Sequence, residues 1–140
     1  MKLKELINIK ALFTKKVRFT NILEYTLSIN TFKKSNWKAF GNSSGKKIIK
    51  ILSNFTTPQY NVIYFMRNRS GYQTLSFRQN YDVIITDKDG TILKFEIDVK
   101  PGMISKKVFK GYIVAFLPVG TILHFGLKEK DNFKFNRKWF

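Results

Sequence analysis

Cysteine is absent from the 140 residues, which removes disulfides, thiolate catalysis and cysteine-ligated zinc together and makes a disulfide-stapled secreted scaffold untenable. Histidine occurs once, as His124, and a lone imidazole has no partner set for a metal site. Standing between Leu123 and Phe125, it reads as structural or surface. Carboxylates are scarce, nine against 26 Lys and Arg, so paired acid–base chemistry has few members to draw on. Proline numbers three; no Pro-, Gly- or Ser-rich linker and no internal repeat divides the chain. Long apolar runs are missing too. No window reaches the roughly 20 residues of a membrane-spanning helix, and Asn8 and Lys10 interrupt the N-terminal stretch before it could act as a signal core. The expectation is a protein that is soluble, or at most peripheral to a membrane, in a reducing cytoplasm.

What is present is apolar, aromatic and basic. Hydrophobic residues make up 44% and aromatics 16%, including 14 Phe, which is material for one packed core and excludes the disordered class. The formal charge is +17, and a charge of that size attracts polyanions: RNA, DNA or an acidic membrane surface. Lysines dominate arginines, 21 to five, a ratio that AT-rich coding alone can produce. The arginines carry more information, because coding bias of that kind works against them.

Along the chain, Leu3, Leu6, Ile7 and Phe13 fall at helical spacing with Lys2, Lys4 and Lys10 elsewhere, predicting a basic amphipathic extension over residues 1–16. Its partner is the core, with a peripheral membrane contact as the alternative. Residues 17–140 then read as a single β-rich domain. From Val17 the period becomes two, and Leu23, Tyr25, Leu27 and Ile29 alternate with Glu24, Thr26 and Ser28 as a half-buried strand requires. Ser43-Ser44-Gly45 precedes a helix over Lys46 to Phe55, with Ile48, Ile51, Leu52 and Phe55 on one face. Tyr60 to Met66 is apolar enough to be covered on both sides, and Tyr72 to Phe77 reads as another short strand. Tyr81 to Thr86 and Thr91 to Lys100 form a hairpin about Asp89-Gly90. Tyr112 to Leu117 is a buried strand, and Phe133 and Phe135 mark a last one. The fold expected is mainly β, a barrel or sandwich-like single domain with one or two short helices.

Ser70 to Gly90, then Val99-Lys100-Pro101-Gly102, then the run from Tyr112 through Leu117-Pro118-Val119-Gly120-Thr121-Ile122 share an order and spacing with a known pattern. It has a Ser-Ile-His-Thr-Phe-Phe-Met-Arg-Phe-Pro-Ile-Asp run, a strand-turn-strand with Asp-Gly, and Leu-Pro-Ala-Gly-Thr followed by Gly-x-x-x-Gly-Asp. In this respect the chain resembles the bacterial family called domain of unknown function 192. Thr74, Arg78 and Asp82 agree with the pattern; Gln73 stands for its His, Asn80 for its Pro and Lys130 for its second late Gly. The likeness covers about half of the chain, Thr31-Phe32-Lys33-Lys34 being only a faint echo of the family's N-terminal signature. It implies a compact, mainly β fold and no particular activity.

No catalytic, metal or cofactor constellation stands out. Glu96 and Asp98 alternate with Lys94 and Lys100 on a solvated face, and Asp87 and Asp89 serve a turn. Asp82, inside an apolar strand, is expected to pair with Arg78 in a structural role. Ser43-Ser44-Gly45-Lys46-Lys47 lacks the spaced glycines of a phosphate loop, and no Gly-x-Ser-x-Gly elbow occurs. The remaining candidate is the basic, aromatic stretch from Tyr64 to Arg78, which holds three of the five arginines. There Arg67, Arg69 and Arg78 are expected to hold phosphates and Tyr72 to stack on a base. Lys106, Lys107 and Lys110 around Val108 and Phe109 form a second basic focus. The tail, with Lys134, Arg137, Lys138, Trp139 and Phe140, is a third. The function expected is a non-enzymatic binding or accessory module without cofactor that engages an anionic macromolecule, RNA more than DNA. The rival is an assembly component that binds protein partners while its charge is compositional.

Overall fold

A computed structural model describes residues 22–67 and 71–137. The N-terminal extension, Arg69 and the Lys138-Trp139-Phe140 tail lie outside the described residues. In chain order the elements are β1 (Leu23–Ile29), β2 (Phe32–Asn42), α1 (Gly45–Leu52), β3 (Val62–Arg67), β4 (Tyr81–Thr86), β5 (Ile92–Val99), β6 (Ile113–Leu117), α2 (Thr121–Phe125) and β7 (Phe133–Arg137). The seven strands form one sheet in the order β5-β4-β6-β3-β2-β1-β7. Only β2 and β3 run parallel, and α1 supplies the crossover that a parallel pair needs.

The sheet curls until its two edges touch. Thr91 at the start of β5 bridges Asn132 before β7, and Phe133 N–H donates to the Gly90 carbonyl at 2.7 Å while Ile92 N–H donates to that of Asp131 at 2.9 Å. Gly90 makes the approach possible. Its φ is +87°, and a Cβ there would sit 3.0 Å from Cβ of Lys134 and 3.2 Å from the Phe133 carbonyl, so the Asp-Gly turn seen in the sequence also seals one end of the half-barrel.

Two cores follow. One draws Leu27, Ala39, Ile63, Ile84, Ile92, Ala115 and Phe133 from all seven strands, as only a concave face permits, and adds Ile122 of α2 and Leu127. The other joins Ile48 and Leu52 of α1 to Met66, Val83, Val114 and Phe116, with Tyr72 and Phe77 from the connecting segment. β4 lies between them and is buried at every position. The mainly β fold with two short helices therefore agrees with the expectation from sequence.

Two elements differ. The segment Tyr72 to Phe77 forms no strand: it makes a single bridge, Gln73 to Ile104, because Thr74 is fully buried and holds a loop together. Its hydroxyl donates to the Lys100 carbonyl at 2.8 Å and accepts from Met103 N–H at 2.9 Å. The longest strand among the described residues, β2, has no counterpart in the expectation from sequence. It joins β1 through Asn30 and Thr31, both at positive φ (50° and 72°), as a two-residue hairpin of the right twist requires, with no glycine to announce it.

Candidate functional site

The two ends of β4 hold the polar groups of most interest. At its start, Asp82 is fully buried, and its carboxylate accepts three backbone N–H groups: Asp98 at 2.9 Å, Gly120 at 3.0 Å and Ile122 at 3.1 Å. The first fixes a bulge in β5, where Asp98 takes a φ of +57°. The others fix the start of α2 against the barrel floor. Asp82 thus does not make the pair with Arg78 expected from the sequence; Arg78 is exposed, and three backbone donors already engage both oxygens of the carboxylate.

At the other end of β4 a cleft of about 270 Å³ opens between the β4–β5 turn, the end of β3 and β7. Arg67 closes β3 and lays its guanidinium 4.2 Å from the ring centre of Tyr112, a cation–π contact that holds a long side chain in place without neutralising it. Lys88 from the turn and Lys134 from β7 share the lining. The floor is aromatic: Phe65 stacks on Phe135 at 3.9 Å between ring centres, and Tyr25 meets Phe65 edge-on at 4.9 Å. Gly41 gives the Phe65 ring its room, since a Cβ there would fall within the ring's van der Waals envelope. The lining holds one carboxylate, Asp87, and one of its oxygens already accepts the N–H groups of Asp89 and Thr91 at 2.9 and 3.0 Å. Three cations around an aromatic floor suit an anion that carries a planar, poorly hydrated part.

Of the residues expected to form the site, the three that are described, Arg67, Tyr72 and Arg78, do not come together. Arg67 lies in the cleft. Arg78 belongs to the opposite end of β4, whose six residues at about 3.3 Å each separate the ends by about 17 Å. Tyr72 is 5% exposed, edge-on to Phe116, and its hydroxyl donates to Glu96 Oε1 at 3.0 Å. Burial, and then the Glu96 charge, hold this phenol well above its ordinary pKa. This burial leaves Tyr72 little ring face for the stacking role expected for it, and the tyrosine ring beside Arg67 in the cleft is Tyr112. Lys88 lies in a turn pattern whose chemistry points only to structure, whereas Lys134 belongs to the third basic focus expected from the sequence and is the one described member of it that lines the cleft. Among the described residues no three His, Asp or Glu side chains gather as a metal site, and no helix is long and apolar enough to cross a membrane.

No protein-family model matches the chain, and neither does any curated protein. Two solved structures share its fold. One is described as a "putative transcription regulator" from Sinorhizobium meliloti 1021, with a TM-score of 0.66 and 12% identity over 81% of this chain and 93% of that one. The other is a protein of unknown function from Novosphingobium aromaticivorans DSM 12444, with a TM-score of 0.60 and 11% identity over 81% and 84% of the two chains. At such identities the likeness is one of fold.

Proposed function

We propose that the protein is a non-enzymatic module that binds single-stranded nucleic acid, RNA before DNA, in the cleft at the end of β3. The observation that carries this reading is Arg67, held over the Tyr112 ring beside Lys88 and Lys134 above an aromatic floor. Arginine and lysine engage phosphates while unstacked bases find aromatic faces, and a concave cleft of this size takes the parts of a single strand rather than a duplex. The description of the Sinorhizobium neighbour as a transcription regulator is in keeping with a nucleic-acid ligand in general and does not choose between RNA and DNA. Membership of the domain of unknown function 192 family is part of the proposal. Of the residues that match its pattern, Thr74 and Asp82 serve the fold, which leaves the basic cleft as a feature of this chain.

The test is fluorescence anisotropy of a labelled single-stranded RNA across a salt series. The triple variant R67A/K88A/K134A is expected to bind at least about tenfold more weakly, with the salt slope shallower by about 2, as loss of three phosphate contacts at about 0.7 each requires. Unchanged affinity in the folded variant overturns the site. Salt-indifferent association with a protein partner, without RNA binding, favours the assembly component instead.

A further inference from the structure

The segment that connects β5 to β6 has a composition the nucleic-acid cleft does not use. Gly111 N–H donates to the Val108 carbonyl at 2.8 Å, closing a tight turn with Lys110 at a φ of +64°. Phe109 is displayed at its tip, 83% exposed. Lower in the same segment Ile104 is 72% exposed, and Leu75, 58% exposed, shares a groove with it. These side chains are not left out by a loose loop. Thr74 N–H donates to the Met103 carbonyl and Ser105 N–H to that of Tyr72, both at 2.9 Å, and half-buried Val108 packs against the outer core, so the backbone is pinned and the apolar groups point away from it.

The charge beside them has one sign. Lys106, Lys107 and Lys110 are exposed, and the sequence has no carboxylate between Asp98 and Glu129. The ion pairs among the described residues, Lys94–Glu96 and Lys128–Asp131, leave these lysines out. A nucleic acid complements the lysines and can stack on Phe109, but it offers nothing to the aliphatic Ile104 and Leu75. An anionic bilayer serves both: the apolar tips enter the headgroup and acyl boundary while the lysines stay with the phosphates.

We infer that this segment docks the protein on the surface of a membrane rich in anionic lipid, with Phe109 and Ile104 as the inserted residues. This goes beyond RNA binding and does not depend on it, since the cleft draws on other residues. The experiment is co-sedimentation of the full chain with vesicles of mixed phosphatidylglycerol and phosphatidylcholine, and with phosphatidylcholine alone. The wild type is expected to bind the mixed vesicles and not the neutral ones. The variant I104S/F109S, which keeps every lysine and changes only exposed side chains, is expected to lose more than about tenfold in partitioning with its melting curve and RNA affinity unchanged. Failure of the wild type to bind the mixed vesicles overturns the inference. So does equal binding by the variant, which would leave lysine attraction alone, common to lipid and RNA, as the cause.

Discussion

Asp82 and Arg67 sit near opposite ends of the same buried part of the sheet, and their surroundings differ in what they leave unsatisfied. The Asp82 carboxylate, in the core, accepts three backbone N–H groups and joins β5, β4 and α2. Arg67, half-buried, leans on a ring and has no carboxylate partner among the described residues. A buried charge whose two oxygens are both engaged by backbone serves the fold; one held by packing alone keeps its charge for a ligand. Sequence position would not separate the two, whereas burial and a count of partners do.

The substitution that tests the closed end most severely is Asp82→Asn. An amide keeps one acceptor oxygen and turns an NH₂ group toward one of the backbone N–H groups, so either Asp98 or the pair Gly120 and Ile122 loses its acceptor in the core. The expected loss is about 3 kcal/mol, read from the urea unfolding midpoint, with the RNA affinity of the folded fraction unchanged. A variant as stable as the wild type would remove the basis for treating the two ends differently.

A smaller effect is expected at the floor of the open end. Gly41→Ala drives a methyl group into Phe65, whose ring is already fixed between Tyr25 and Phe135. Overpacking of this kind costs about 2 kcal/mol, and because the ring is the cleft floor, RNA affinity should fall with stability. Affinity that holds while stability falls would show that the floor serves packing only, leaving the cations as the whole of the site.

How much of this could be read from the chain depends on where the information lies. The hairpin of β4 and β5, helix α1 and strand β6 announce themselves through alternation, Asp-Gly and three-four spacing. β2 does not, because Lys33, Lys34, Asn36 and Lys38 interrupt its apolar residues and Asn30-Thr31 makes a positive-φ turn without glycine. Arg67 stood out through the scarcity and clustering of arginine, but its companions come from the β4–β5 turn, the start of β6 and from β7. Only the sheet order brings them together. Tyr72 shows the opposite failure: a tyrosine beside arginines reads as an exposed platform, while its hydroxyl is bonded to Glu96 and its ring lies in the core.

That difference makes Tyr72→Phe the finest probe. The hydroxyl lost is a donor to a half-exposed carboxylate, so about 1 kcal/mol of stability should go at neutral pH. Burial first, and then the Glu96 charge and hydrogen bond, raise this phenol above its ordinary value, which is about 10. The folded chain therefore keeps the proton at a pH where the unfolded chain gives it up. Its contribution is complete below about pH 10 and declines as the pH rises beyond that. The phenylalanine variant lacks this proton, so the gap in urea midpoints between it and the wild type should narrow from neutral pH to above pH 10. Tyr72 is closed to solvent, and so the variant should bind RNA as tightly as the wild type at neutral pH. Weaker binding would return Tyr72 to the site and show that a residue committed to the core can still shape the open end.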